Sequence, residues 1–216
     1  KKIASFLLEQ NCKAIVVACN TASSASVSSL KKHLPEDFPL INVIQPVVDY
    51  VSSHHNFTNI GIIATKGTVH ARTYPKLIQK RRADLQVTSS ATPLLAPMIE
   101  EGFFSNSISK SIIASYLSKN NLRSIDCLIL GCTHYPIIEE EIKSYYTSKK
   151  RKVSIVNSAH VVARKVKKAL AHLNILSSKK EADHRFFVSD YTSSFEESSK
   201  IFFGSTVKLT KIHLWK

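Results

Sequence analysis

Four times along this chain a short apolar run stops at a small polar residue and gives way to helix-forming sequence. The four stretches are "AIVVACNTAS" at 14–23, "IGIIATKGTV" at 60–69, "CLILGCTHYP" at 127–136 and "SIVNSAHVVA" at 154–163. Runs this short and this apolar are buried on both faces, which fits strands of a parallel sheet better than half-exposed hairpins. Alternation with helices then predicts an α/β protein with mostly parallel sheets flanked by helices. In open sheets of that kind ligands bind beyond the carboxyl ends of the strands. Cys19, Thr65, Thr68, Cys132 and Asn157 all fall just after predicted strands, so chemistry is expected there.

The remaining elements follow the same logic. "KIASFLLEQ" has helical spacing, "LINVI" reads as a strand leading into a helix after Pro46, and the helix after "IGIIATKGTV" is expected to run on to about Lys80. "LQVTSSATP" predicts a strand and turn, and residues 106–117 predict a helix. The tail from Asp183 reads as strand, helix and edge strand.

The chain has 216 residues, 44% of them apolar, enough for one large domain or two small ones. No apolar run approaches the length of a membrane span, no secretory signal is visible, and four cysteines in a chain of this length do not make a disulfide scaffold. A reducing cytoplasmic location is the expectation. The chain opens at Lys1 directly in helix-like sequence, which reads as the start of a fragment.

The net charge is +14, and residues 142–180 carry 11 Lys and Arg with no Asp or Glu. Such a stretch attracts polyanions, nucleic acid included. It lacks any zinc-finger spacing, aromatic-and-basic sheet motif or Gly-rich RNA-binding loop, so a solvated basic face is the simpler reading.

Cysteine is often a buried apolar residue, and Cys12 and Cys127 suit that role. Neither the Cys12–Cys19 nor the Cys132–His134 spacing makes a compact zinc knuckle, so no metal is expected. Cys19 and Cys132 differ because each is followed by groups able to hold a small anion: Asn20 and Thr21 after the first, Thr133 and His134 after the second. Two thiols facing one small site suit a reaction that inverts a carbon centre, one removing the α-proton and the other returning one from the opposite face. Neutral donors from Asn20, Thr21, Thr65, Thr68 and Thr133 can hold carboxylates without placing a full positive charge beside a thiolate.

The segments "KAIVVACNTASS", "IGIIATKGTV", "PLLAPMIEEG", "LILGCTHYP" and "NSAHVVARKV", with the two cysteines 113 residues apart, resemble the aspartate/glutamate racemase family. The likeness runs from residue 3 to about residue 212. It implies two similar α/β domains with the active site in the cleft between them. One would be residues 43–153; the other would combine 1–42 with 154–216. It implies catalysis by Cys19 and Cys132 with His134 beside the second, and an acidic helper at Glu100, with Glu101 as the alternative register. The substrate contacts implied are Asn20, Thr21, Thr65, Thr68 and Thr133.

The same resemblance implies no cofactor, no metal, a free glutamate substrate whose D form enters peptidoglycan, and compatibility with a homodimer. Aspartate or another small dicarboxylate is the alternative substrate, and a binding protein without turnover is the alternative class. A hydrolase built on Cys132 and His134 leaves Cys19 without a role. Family members begin with a strand and a glycine-rich Asp-Ser-Gly loop that has no counterpart here, and Ala71 stands where serine is frequent.

Overall fold

The computed structural model describes residues 1–178, 183–190, 199–205 and 207–215. Helix α1 (Lys2–Glu9) leads into β1 (Ile15–Val17), α2 (Asn20–Lys31), β2 (Leu40–Asn42) and α3 (Ile44–Ser53). Then come β3 (Asn59–Ala64), α4 (Lys66–Ala71), α5 (Thr73–Arg81), β4 (Gln86–Ala91), α6 (Leu95–Glu100) and α7 (Ser107–Leu117). The chain continues through β5 (Cys127–Gly131), α8 (Glu139–Ser148), β6 (Ser154–Asn157), α9 (Ser158–His172), β7 (Phe186–Val188) and β8 (Leu209–Lys211). Residues 199–203 are helical, and residues 191–198 of the expected tail lie outside the described residues.

The three sheets among the described residues are parallel: β1–β2, β4–β3–β5–β6 and β7–β8. Strands β3 and β5 are central, and every residue of β5 is buried, as its uninterrupted apolar run requires. Two cores lie on the two faces of this sheet. One joins Ile60, Ile62 and Ile129 to α3, α5 and α9 through Val47, Val48, Ile78 and Val162. The other joins Ile63, Leu128 and Leu130 to α6, α7 and α8 through Ile99, Ile113 and Ile142. A third, smaller core of Ala4, Ile15, Leu30 and Leu34 holds α1 and α2 on β1.

Strand β6, Ser154–Asn157, pairs with β5, and α9 packs in the core shared with α3. One expectation is corrected. The single helix expected to continue to about Lys80 is broken at Arg72, which sits in the left-handed region at φ +54° between α4 and α5. Pro75 explains the break: its ring has no N–H for the carbonyl of Ala71 and clashes with it, so a continuous helix cannot pass.

Strand β1 pairs only with β2 among the described residues. Val16, 40% exposed, lines an apolar groove of about 520 Å³ with Ala18, Val43, Thr133, Val162 and Leu170. The basic stretch is largely solvated: Lys149, Lys150, Lys152, Arg164, Lys165, Lys167 and Lys168 are exposed. Arg151 is instead turned inward, donating to the carbonyls of Leu122 and Ile125. Lys179 and Lys180 lie outside the described residues. No helix among the described residues is long and apolar enough to cross a membrane.

Candidate active site

Sheet register sets the site. Ala64 pairs with Ala91 on one side and Gly131 on the other, so Thr65, Thr92 and Cys132 emerge abreast at the carboxyl end of three adjacent strands. Gly131 permits this approach because a Cβ there would lie 2.9 Å from the Ile63 carbonyl oxygen and 3.0 Å from the Ala64 Cβ. Opposite, β1 ends at Val17, and Cys19 forms the exposed N-cap of the twelve-residue α2. Ser23 ties this turn down, donating to the Val17 carbonyl at 2.9 Å and accepting from the Val43 N–H at 3.4 Å.

The two halves meet through hydroxyls. Thr21 Oγ1 lies 2.8 Å from Thr65 Oγ1 and 3.1 Å from Thr68 Oγ1, and the latter two are 3.1 Å apart. Thr65 also caps α4 by accepting from the Thr68 N–H. Each hydroxyl can donate or accept, so any of the three hydrogens can give up its contact within the triangle and turn toward an anion. Asn20 is buried, and its Oδ1 accepts from the Tyr74 hydroxyl at 2.7 Å.

On the other side, Cys132 Sγ lies 3.5 Å from His134 Nδ1, and His134 Nε2 lies 2.8 Å from Glu100 Oε1. It is Glu100, at the end of α6, and not Glu101 that meets the imidazole. With Nε2–H donated to the carboxylate, Nδ1 faces the sulfur, free to take the thiol proton. Phe202 packs edge-on against the same ring at 5.2 Å. Burial pushes the Cys132 thiol up; the His134 backbone N–H pulls it down, nearby Cys19 and Glu100 push it further up, and the Thr133 hydroxyl pulls it down. The net push is upward, so Cys132 rests as a protonated thiol at neutral pH.

Among the sequence-selected residues, Cys19, Thr21, Thr65, Thr68, Cys132, Thr133, His134 and Glu100 come together at these strand ends, with Asn20 beneath them. Asn157 does not join them through its side chain, which caps α9 through Ala159 and donates to Glu139 at 2.6 Å. Cys127 is fully buried on β5, whereas Cys12 is only half-buried. Sequence reasoning missed Tyr74, Thr92 and Tyr135. Thr92 Oγ1 is 2.7 Å from the Tyr135 hydroxyl, a buried contact that braces the turn after Cys132. Thr92 follows a predicted strand, so the strand-end rule could have found it; Tyr74 and Tyr135 look like ordinary core aromatics. Among the described residues no three His, Cys, Asp or Glu side chains are grouped to hold a metal ion.

The sequence model of the Asp/Glu/hydantoin racemase family matches residues 2–166. The chain belongs to this family. It is 33% identical over 204 residues to a glutamate racemase of Geobacter metallireducens, an alignment covering 94% of this chain and 74% of that one. Among solved structures it resembles the glutamate racemase of Francisella tularensis in complex with D-glutamate. That match has a TM-score of 0.88 and 31% identity, and covers 99% of this chain and 78% of that one. An aspartate racemase of Picrophilus torridus shares the fold at a TM-score of 0.56 and 16% identity, covering 77% of this chain and 66% of that one. The fold and the enzymatic class, a racemase, are thereby set.

Proposed function

We propose that this chain interconverts L- and D-glutamate by direct proton transfer at the α-carbon, without a cofactor, and so supplies D-glutamate for peptidoglycan. The observation that carries the reading is the pair of thiols, Cys19 just after β1 and Cys132 just after β5, on two halves that meet through the hydroxyls of Thr21, Thr65 and Thr68. One thiolate removes the α-proton; the opposite thiol delivers a proton to the other face of the carbanion, and the centre inverts. For the reverse direction the roles exchange, which is why two similar groups serve better than one.

The remaining residues divide between the two jobs. His134, held by Glu100, takes the proton of Cys132 when that thiol must act as base and returns it afterward. Asn20, Thr21, Thr65, Thr68 and Thr133 donate to the substrate carboxylates. The site then lies where the unit carrying β1 and β2 meets the unit built on the four-stranded sheet. Glutamate is preferred over aspartate because the relatives at 31–33% identity are glutamate racemases. The likeness to an aspartate racemase is one of fold alone.

The test is a panel of L- and D-glutamate and L- and D-aspartate, incubated without added cofactor and resolved by chiral chromatography. Interconversion of both glutamate enantiomers, lost in Cys19→Ala and in Cys132→Ala, is expected. Faster turnover of aspartate would reassign the substrate. Full activity of either cysteine variant on both enantiomers would end the two-thiol reading.

A further inference from the structure

Asn20 is 2% exposed, yet its amide nitrogen Nδ2 has no protein partner. Leaving a buried donor unpaired costs about 1–3 kcal/mol, so native structures retain one chiefly where a ligand or an ordered water completes it. The other end of the same amide is taken: Oδ1 accepts from the Tyr74 hydroxyl at 2.7 Å. Tyr74 lies 54 residues further along the chain, on α5, and is 1% exposed. Burial pushes its phenol far up, so the hydroxyl stays protonated and available as a donor. The break at Arg72 serves both contacts, since α4 holds Thr68 at Thr21 while α5 brings Tyr74 to Asn20.

We propose that Tyr74 is a positioning residue for substrate recognition: its hydroxyl fixes the Asn20 amide with Oδ1 inward, holding Nδ2 beside Cys19 as a donor for a substrate carboxylate. The inference rests on the substrate contact assigned to Asn20 in the proposed function. A side-chain amide rotated by half a turn exchanges donor for acceptor, and an acceptor facing a carboxylate repels it. Rotation here would leave the buried phenol hydrogen without Oδ1, so the tyrosine selects one of the two states. The bond also joins the unit of β1 to the four-stranded sheet, so the amide is set only while the two are in register.

Tyr74→Phe removes the hydroxyl and keeps the ring. The expected result is a KM for glutamate raised about tenfold, equivalent to about 1.4 kcal/mol, as for a hydrogen bond lost with its buried partner left unpaired. The kcat should stay within about threefold, because the contact is made in ground and transition states alike. Combining Tyr74→Phe with Asn20→Ala separates positioning from packing. If Tyr74 acts through Asn20, the double variant has the KM of Asn20→Ala alone; multiplied effects would overturn the proposal, as would a wild-type KM in Tyr74→Phe.

A ligand-free readout accompanies the kinetics. The Asn20 side-chain amide resonances, followed by ¹⁵N-edited NMR, should shift and exchange faster in Tyr74→Phe, and unchanged resonances would overturn the hydrogen bond itself. Should the wild-type chain racemise neither glutamate nor aspartate, the proposed function falls, and the amide resonances alone decide whether Tyr74 sets Asn20.

Discussion

Gly131→Ala adds one methyl group at the residue just before Cys132, and the surroundings determine what it does. The new Cβ would sit 2.9 Å from the Ile63 carbonyl oxygen, 3.0 Å from the Ala64 Cβ and 3.3 Å from an Ile62 methyl. The nearest of these is backbone of the neighbouring central strand, so no side-chain rotation relieves it; β5 must move off β3. Overpacking of this kind destabilises by about 1–3 kcal/mol. In a chain of this size each kcal/mol lowers Tm by about 2–4 °C, so a fall of about 6 °C is expected.

The displacement falls at the root of Cys132. Misplacing a reacting group by about 1 Å costs about a hundredfold in rate, and a shift of part of that distance should lower kcat/KM about 10- to 100-fold. Gly61→Ala is the control. Its Cβ would meet Ile125 Cδ1 at 2.7 Å, Ile125 Cγ2 at 3.1 Å and Leu122 Cδ2 at 3.1 Å, side chains rather than backbone, and Gly61 pairs with Leu128 well before the carboxyl end of β5. It should lower Tm and leave kcat/KM within about twofold. Thermal melts by circular dichroism, with racemisation assayed well below both midpoints, read the two effects separately. A Gly131→Ala protein with unchanged Tm and kcat/KM, or a Gly61→Ala protein equally impaired in rate, would refute the reasoning.

Two further outcomes are expected. Because burial and the nearby charges of Cys19 and Glu100 raise the Cys132 thiol, its thiolate form grows only as pH climbs. For the enantiomer on which Cys132 is the base, kcat/KM should therefore still be rising past the ordinary thiol value of about 8.5; a plateau at pH 7 would contradict this. Glu100→Gln keeps the shape but removes the carboxylate 2.8 Å from His134 Nε2, so that enantiomer should lose about 10- to 100-fold in kcat with little change in Tm. Equal loss for both enantiomers would show that Glu100 does not act through Cys132.

The alternation of apolar runs and helices was enough to read the parallel sheet, because burial on both faces forces β5 throughout, and β3 from Ile60 to Ala64, to be apolar. The strand-end rule likewise picked out Cys19, Thr65 and Cys132, since register aligns the carboxyl ends without regard to which side chains follow. What sequence could not give was contact across the seam between the two halves. The bond from Tyr74 to Asn20 leaves no trace in spacing: Tyr74 and Ile78 are four apart on one helix face and look like plain core. The break at Arg72 was legible only through Pro75, four residues after Ala71, and the place of β6 beside β5 only through pairing that spacing does not encode. Choosing Glu100 over Glu101 needed the turn of α6, which fixes one of the two adjacent carboxylates on His134.

The central claim is that two thiols work on opposite faces of one carbon, and isotope transfer tests it most directly. Protiated L-glutamate is incubated with the chain in D₂O and the reaction is stopped at low conversion. Mass spectrometry of the separated enantiomers then reads the α-position of each. The account predicts D-glutamate carrying deuterium from its first appearance, delivered by the opposite thiol, while the remaining L-glutamate stays protiated. D-glutamate that retains the original proton would mean that a single group carries it from face to face, and the two-thiol account would be wrong.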